Sequence, residues 1–380
     1  MVCPLYLLFY MGDAFLTSYY AHYFIENGMS PDQQSALLGV IPLALFLGCF
    51  VLSPFAKSPK KALWLYRICL FCEIGLAITF TFVHSFAGLM VVTFLIGFFD
   101  GAPFSFLEGY VVPLCEKRGI RYSNIRIFGT IGYIVSLAFG YFLLSNFPVR
   151  DSYYFAAGLF ALAAISSFFL NGKEGEVQTE KEKGRIADLL SAGVIILLLS
   201  QLFSYGAFNS ISYILPVYLK TLGLADADYS LMRSISIVAE MIMLLLMPVI
   251  VKKRNIGKWP LLVSGVVCLL GSSLGVFITH TFALGYLTLI LSAVGKAFCF
   301  AFLASAMEKY SGENTLAMAL TVNTGLTDLT SAALNFASSA IYANIGFQAY
   351  FGIACGLEAI GVILLFFLPK EGISKTREAI

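Results

Sequence analysis

Stretches of twenty or more mostly apolar residues recur along the whole 380-residue chain. As a helix, each is long enough to cross a hydrocarbon core about 30 Å thick. Only 12% of the residues are charged and 59% are apolar, whereas a soluble domain carries about 25% charged residues. These features exclude a water-soluble fold and predict an all-α polytopic membrane protein. Loop punctuation divides the hydropathy into twelve transmembrane helices, at roughly 4–25, 33–53, 62–83, 86–114, 123–145, 152–170, 187–219, 228–251, 260–280, 283–307, 315–341 and 348–369. The first span does not have the form of a cleaved leader and is expected to stay as an anchor.

The longest interruption is the segment 171–185, "NGKEGEVQTEKEKGR", in which eight of fifteen residues are charged. Nothing in it is apolar enough to pack a core, so it reads as a solvated linker. The expected organisation is an N-terminal six-helix bundle at 1–170, a charged cytoplasmic linker at 171–186, a C-terminal six-helix bundle at 187–370 and a cytoplasmic tail at 371–380. The halves echo each other: "CEKRGI" at 115–120 and "MEKYSG" at 307–312 close the fourth and tenth spans, and the basic turns "KSPKK" and "KKRNIGK" close the second and eighth. Lysine and arginine concentrate in the loops after the even-numbered spans, while the opposite loops hold only Arg150 and Lys220. That asymmetry predicts both termini in the cytoplasm. Two related halves joined by a linker suggest a pseudo-symmetric transporter with its site near the midplane.

Other function classes find no support. A net charge of +2, with no basic patch on a soluble module, gives nucleic acid no purchase. Cys69 and Cys72 form a C-x-x-C inside an apolar span, where packing is the plainer reading. His22, His84 and His280 fall at helix ends without clustering, so no metal site is expected. No nucleophile elbow, P-loop, metal dyad or dinucleotide fingerprint points to an enzyme.

The candidate functional residues are the ionisable ones inside the spans, since each costs at least about 2.5–3.5 kcal/mol to place in a bilayer. They are Asp13, Glu73, Asp100, Glu108, Glu240, Asp328 and Glu358, with Arg67, Arg126, Arg233 and Lys296 as cations. A water-filled central cavity with paired charges would accommodate them. Asp13 follows Gly12 in the polar-aromatic run "YMGDAFLTSYY" and is expected to line that cavity. Arg233 and Glu240, seven residues apart, share a face of the eighth span without touching. Lys296 calls for an acidic partner, with Glu240 and Asp328 as candidates. No motif assigns a role to Glu73, Glu358 or Arg67, for which simply holding helices together is an equal alternative.

Glu108 and Arg126 are eighteen residues apart across a short loop, and Arg126 opens the run Arg126-Ile127-Phe128-Gly129-Thr130-Ile131-Gly132-Tyr133. This pairing and run resemble the lactose-permease-like branch of the major facilitator superfamily, which includes oligosaccharide, nucleoside and phenylpropionate proton symporters. "GAPFSFLE", "AEMIMLLLMPVIVKK" and "YANIGFQAY" extend the resemblance over most of the chain. It implies that Glu108 and Arg126 bind solute hydroxyls while Tyr133 stacks on a ring, and that Lys296 occupies the place of a functional histidine. The sequence departs from lactose permease at Cys299, where that permease has a proton-coupling glutamate, and at Cys268, where it has an arginine. The loop after the second span, "SPFAKSPKK", is a degenerate form of the superfamily motif.

The expected function is a secondary active transporter, a proton-coupled symporter importing a small polar or anionic organic solute by alternating access. The solute is a sugar, a nucleoside or an aromatic acid. Glu108, Arg126, Tyr133, Lys296, Asp13 and Asp100 are the candidate substrate-binding residues. Glu240 and Asp328 are candidates for the proton, and Arg233 and Cys299 for support. No cofactor is expected beyond the proton gradient. The partners are the solute, protons and the bilayer of a bacterial cytoplasmic membrane, with the chain acting as a monomer. The alternative is proton-coupled efflux of lipophilic drugs or lipids, which the absence of a Gly-Pro dipeptide from the fifth span disfavours.

Overall fold

The computed structural model describes residues 2–56, 58–120, 122–170, 189–250, 259–275, 283–312 and 315–369. The expected linker, the basic turn at 252–258 and the C-terminal tail lie outside the described residues, as do Lys57 and His280. Among the described residues there is no strand. The helices are α1 (Val2–Thr17), α2 (Tyr20–Glu26), α3 (Pro31–Leu52), α4 (Pro59–Phe80), α5 (Phe86–Asp100), α6 (Pro103–Arg118), α7 (Tyr122–Asn146), α8 (Arg150–Phe168), α9 (Ala192–Thr221), α10 (Asp226–Ile250), α11 (Trp259–Gly275), α12 (Ala283–Ser311), α13 (Leu316–Asn344) and α14 (Phe347–Leu364).

These helices occupy all twelve expected spans, with α1 and α2 sharing the first and α5 and α6 sharing the fourth. Among the described residues, eight stretches are long and apolar enough to cross a membrane on that basis alone. The others fall short for local reasons. The first span is broken at Ser18 and Tyr19, and α8 opens on Arg150 and Asp151. Helix α13 buries amides and hydroxyls such as Asn323, Ser331 and Asn335, and α11 has only 17 described residues.

Helix starts follow the local chemistry. Ser30 begins α3 with a capping box: its hydroxyl accepts from the Gln33 amide at 3.3 Å, and Gln33 Oε1 accepts from the Ser30 amide at 2.9 Å. Ser58, Ser85 and Ser191 cap α4, α5 and α9 through the serine hydroxyl alone, and Pro31 and Pro59 take the first-turn position. The break between α5 and α6 falls at Gly101-Ala102, just before Pro103, which has no amide hydrogen to continue the ladder. Broken helices at membrane depth are tolerated only where protein or a cavity satisfies the freed backbone groups.

The chain divides into two compact units, Met1–Thr179 with Gly223–Ser234, and Glu180–Leu222 with Ile235–Ile380. In the first, α1 packs on α7 and α8, α3 on α5, and α4 on α5, α6 and α8. The first turns of α10 belong to it through Ser230, whose hydroxyl meets Tyr19 Oη at 2.6 Å and donates to the Leu137 carbonyl at 2.7 Å. In the second, α9 packs on α13 and α14, and α11 on α12 and α14. Large apolar side chains such as Phe50, Trp64, Phe82, Ile165 and Phe168 stand exposed, while Glu73, Ser152 and Ser167 are buried. An outward apolar face of this kind suits lipid as its solvent.

Helices α3 and α5 touch backbone to backbone. A Cβ on Gly48 would lie 1.8 Å from the Phe98 carbonyl oxygen, and one on Gly101 would lie 2.4 Å from that of Leu45. Gly75, on α4, has nothing within 4 Å of the equivalent point. Gly48→Ala should therefore force the helices apart and destabilise the protein by about 1–3 kcal/mol, the usual cost of overpacking. Gly75→Ala should stabilise it by about 0.5–1 kcal/mol by removing backbone freedom from a helix interior. Thermal unfolding of the two variants in detergent checks both signs.

Candidate functional site

Tyr122, Arg126, Gly129 and Tyr133 recur at helical spacing, so they lie along one face of α7. That face meets α1 because two of its residues lack side chains. A Cβ on Gly129 would be 2.6 Å from the Tyr10 ring, and one on Gly132 would be 2.5 Å from the Leu7 carbonyl oxygen. The Gly-x-x-Gly spacing in the run thus seats α1, and this brings Tyr6 and Tyr10 beside Arg126.

Arg126 Nη1 donates to Glu108 Oε1 at 2.9 Å, joining α7 to α6. Tyr122 Oη donates to the same carboxylate oxygen, and Tyr6 Oη donates in turn to Tyr122 Oη at 3.4 Å. The Arg126 guanidinium sits 5.1 Å from the centroid of the Phe104 ring, a cation–π arrangement. Tyr10 meets Phe104 edge-on at 5.8 Å and stacks with Tyr6 at 6.2 Å. Arg126 keeps 46% of its side chain accessible and Glu108 28%, so the pair is reachable from solvent. The result is a charge-matched donor–acceptor pair framed by aromatic rings. It can exchange hydrogen bonds with a polar solute while the rings take up a flat apolar face.

Two turns further along α7, Tyr133 Oη lies 3.2 Å from Ser18 Oγ, at the break between α1 and α2. The charges of Asp13 and Arg233 also reach Tyr133, so these three residues share a neighbourhood in the first unit. Asp100 ends α5 beside the second helix break. Sequence reasoning missed Tyr6, Tyr10, Phe104 and Tyr122. Tyr122 lay four residues before Arg126, a helical spacing that was available as a signal; the other three come from α1 and α6 and had none.

The remaining candidates belong to the second unit. Cys299 donates to Gln201 Oε1 at 3.3 Å and lines a small cavity with Ser204, Tyr205, Ser264 and Cys268. The charge of Lys296 reaches both Cys268 and Cys299. Tyr205 is the shared neighbour of Cys299, Glu240 and Asp328, and it was not singled out from the sequence. Glu358 is buried and accepts from Ser272 at 2.7 Å, tying α14 to α11. Among the described residues, no group of His, Cys, Asp and Glu is placed to hold a metal ion.

Arg67 has a structural task. Its Nη2 donates to the carbonyls of Ser167 at 2.6 Å and Leu170 at 3.2 Å, and its Nε donates to Ser167 Oγ at 3.2 Å. It caps the C-terminal end of α8, where carbonyls have no partner within the helix and a positive charge is favoured.

Helices long and apolar enough to span a bilayer, with a polar pair set among aromatic rings, are the features of a polytopic membrane protein among the described residues. The sequence profile of the Major Facilitator Superfamily matches residues 2–333 and, in a second match, 197–379. The chain belongs to that superfamily, and it is accordingly a multi-pass membrane transporter of small molecules rather than an enzyme. Solved structures with the same fold include the nucleoside transporter NupG, 18% identical over 96% of this chain and 96% of that one, with a TM-score of 0.74. The human organic anion transporter MFSD10 (TETRAN) is 15% identical over 96% and 97%, with a TM-score of 0.63. The peptide transporter POT is 14% identical over 97% and 93%, with a TM-score of 0.70. No curated protein matches the chain by sequence.

The Arg67 cap and the Glu108–Arg126 pair should separate in experiment. Arg67→Ala should lower thermal stability by about 1.5–3 kcal/mol, the range for hydrogen bonds to a charged group. Solute uptake per folded molecule should stay at the wild-type value.

Proposed function

We propose that this protein is a proton-coupled importer of a small neutral solute that carries both hydroxyl groups and a flat ring, a nucleoside before a simple sugar. It sits in a bacterial cytoplasmic membrane, works as a monomer by alternating access of the bundles at 1–170 and 187–370, and needs no cofactor beyond the proton gradient. The observation that carries this reading is the Glu108–Arg126 pair among Tyr6, Tyr10, Phe104 and Tyr122. Because Glu108 already balances Arg126, the pair holds no surplus positive charge for an anion. It offers a donor and an acceptor to a hydroxyl pair instead, as bidentate recognition requires. The surrounding rings favour a planar group over a saturated one. Glu240 and Asp328, both near Tyr205, are the groups proposed to bind and release the coupled proton.

The reading is checked with purified protein in proteoliposomes, using nucleosides, sugars and aromatic acids in counterflow. A nucleoside is expected to exchange, and Glu108→Gln and Arg126→Lys should each abolish its binding while the protein stays folded and monodisperse. Wild-type binding and exchange in both variants would remove the solute from this site. In the same vesicles, Glu240→Gln should abolish uphill uptake yet spare exchange, and an unchanged pH dependence of uptake would place coupling elsewhere.

A further inference from the structure

Two donors meet on one oxygen of Glu108. Arg126 Nη1, at 2.9 Å, and Tyr122 Oη both end on Oε1. Among the described residues Glu108 makes no other hydrogen bond, so Oε2 is the edge left to accept from a solute. Arg126 carries five N–H donors and spends Nη1 on Glu108. Behind Tyr122 stands Tyr6, which is 0% exposed, donates to Tyr122 Oη at 3.4 Å and meets the Tyr122 ring edge-on at 6.3 Å. The hydrogens run one way, from Tyr6 to Tyr122 to Glu108. An ionised carboxylate only accepts, so Tyr122 donates to it and accepts from Tyr6.

Packing fixes both ends of this chain of hydroxyls. Tyr6 lies on α1 beside Leu7, whose carbonyl is the close neighbour of Gly132 on α7. Tyr122 is the first residue of α7, one turn before Arg126, so hydroxyl and guanidinium reach the α6 carboxylate from one helix face. A single contact with Arg126 would let the carboxylate swing about its own torsions. A second donor on the same oxygen, from a ring held by Tyr6, removes that freedom. The pair then presents one acceptor, Oε2, beside the remaining Arg126 donors. That edge matches two neighbouring hydroxyl groups, one donating to Glu108 and one accepting from Arg126. A solute lacking either would leave a polar group of the site unpaired, which is how hydrogen-bonding sites reject such analogues.

We propose that Tyr122, backed by Tyr6, positions Glu108 through Oε1 and so makes the Glu108–Arg126 pair selective for two adjacent hydroxyl groups, the ribose diol of a ribonucleoside before the sugar of a deoxyribonucleoside. Tyr122 acts through Glu108 and not on the solute, because its hydrogen is committed to Oε1 and its oxygen to Tyr6. This role rests on the solute site proposed above and decides which sugar that site accepts.

Calorimetric titration of the purified protein with uridine and with deoxyuridine tests it. The wild type is expected to bind uridine at least about tenfold more tightly, as one hydrogen bond to a charged group supplies. Tyr122→Phe, which removes a single oxygen, should weaken uridine binding by about tenfold and deoxyuridine binding far less, so that the preference shrinks. Tyr6→Phe should move the preference the same way by a smaller factor, and it carries the test if Tyr122→Phe fails to fold. A tyrosine that only braced the helices would weaken both ligands alike. An unchanged ratio in both variants, or a wild type without preference, would therefore overturn this role. Nucleoside binding that is lost in Glu108→Gln, with the ratio unmoved by either tyrosine variant, would strike Tyr122 and leave the solute site standing. Failure of both nucleosides to bind the wild type would remove the solute reading, and this role with it.

Discussion

Hydrocarbon offers a peptide no hydrogen-bond partner, and every feature of this chain follows from that constraint. Backbone groups must satisfy one another within helices, so the described chain is helical nearly throughout. Many large apolar side chains turn outward, because lipid accepts them, and the interior, itself mostly apolar, also buries hydroxyls, amides and a few charges. Each irregularity then has a local cause. The chain breaks at Ser18–Tyr19 and at Gly101-Ala102, and both breaks stand next to functional candidates, Tyr133 and Asp100 respectively.

The same constraint sorts the charges by what surrounds them. Arg67 spends its donors on the end of α8, and Glu358 ties α14 to α11 through Ser272. These two hold helices together. Arg126 and Glu108 hold each other but stay accessible, and a ring of aromatic side chains frames them. Such a pair is worth little as a staple, since exposed ion pairs contribute about 0–1 kcal/mol. Its value lies in presenting a fixed donor and acceptor to whatever enters. Glu73 is the third kind, buried and without a hydrogen-bond partner among the described residues.

Much of this was legible in the sequence. All twelve spans came from hydropathy and loop punctuation, because length and apolarity are properties of a segment by itself. The Glu108–Arg126 contact was legible because a short loop forces the end of one span beside the start of the next. Contacts between distant helices were not legible. Nothing in the run from Arg126 to Tyr133 says that Gly129 and Gly132 make room for Tyr10 and Leu7, and with them the aromatic frame. Holding helices together was one of two roles open to Arg67 in the sequence, but its partners were hidden for the same reason, since they lie a hundred residues away. Glu73 was legible as a costly charge inside a span, but only a packed structure reveals that its carboxylate meets no hydrogen-bond partner among the described residues.

The central claim is that a solute is held at α6 and α7 by Glu108 and Arg126, with its flat face on the aromatic side chains. A structure determined with a transported nucleoside bound tests this most directly. The account predicts ligand hydroxyls within hydrogen-bond distance of the Arg126 guanidinium and the Glu108 carboxylate, and the base against Tyr10 or Phe104. A nucleoside bound away from these residues, with the Glu108–Arg126 pair still closed on itself, would contradict it.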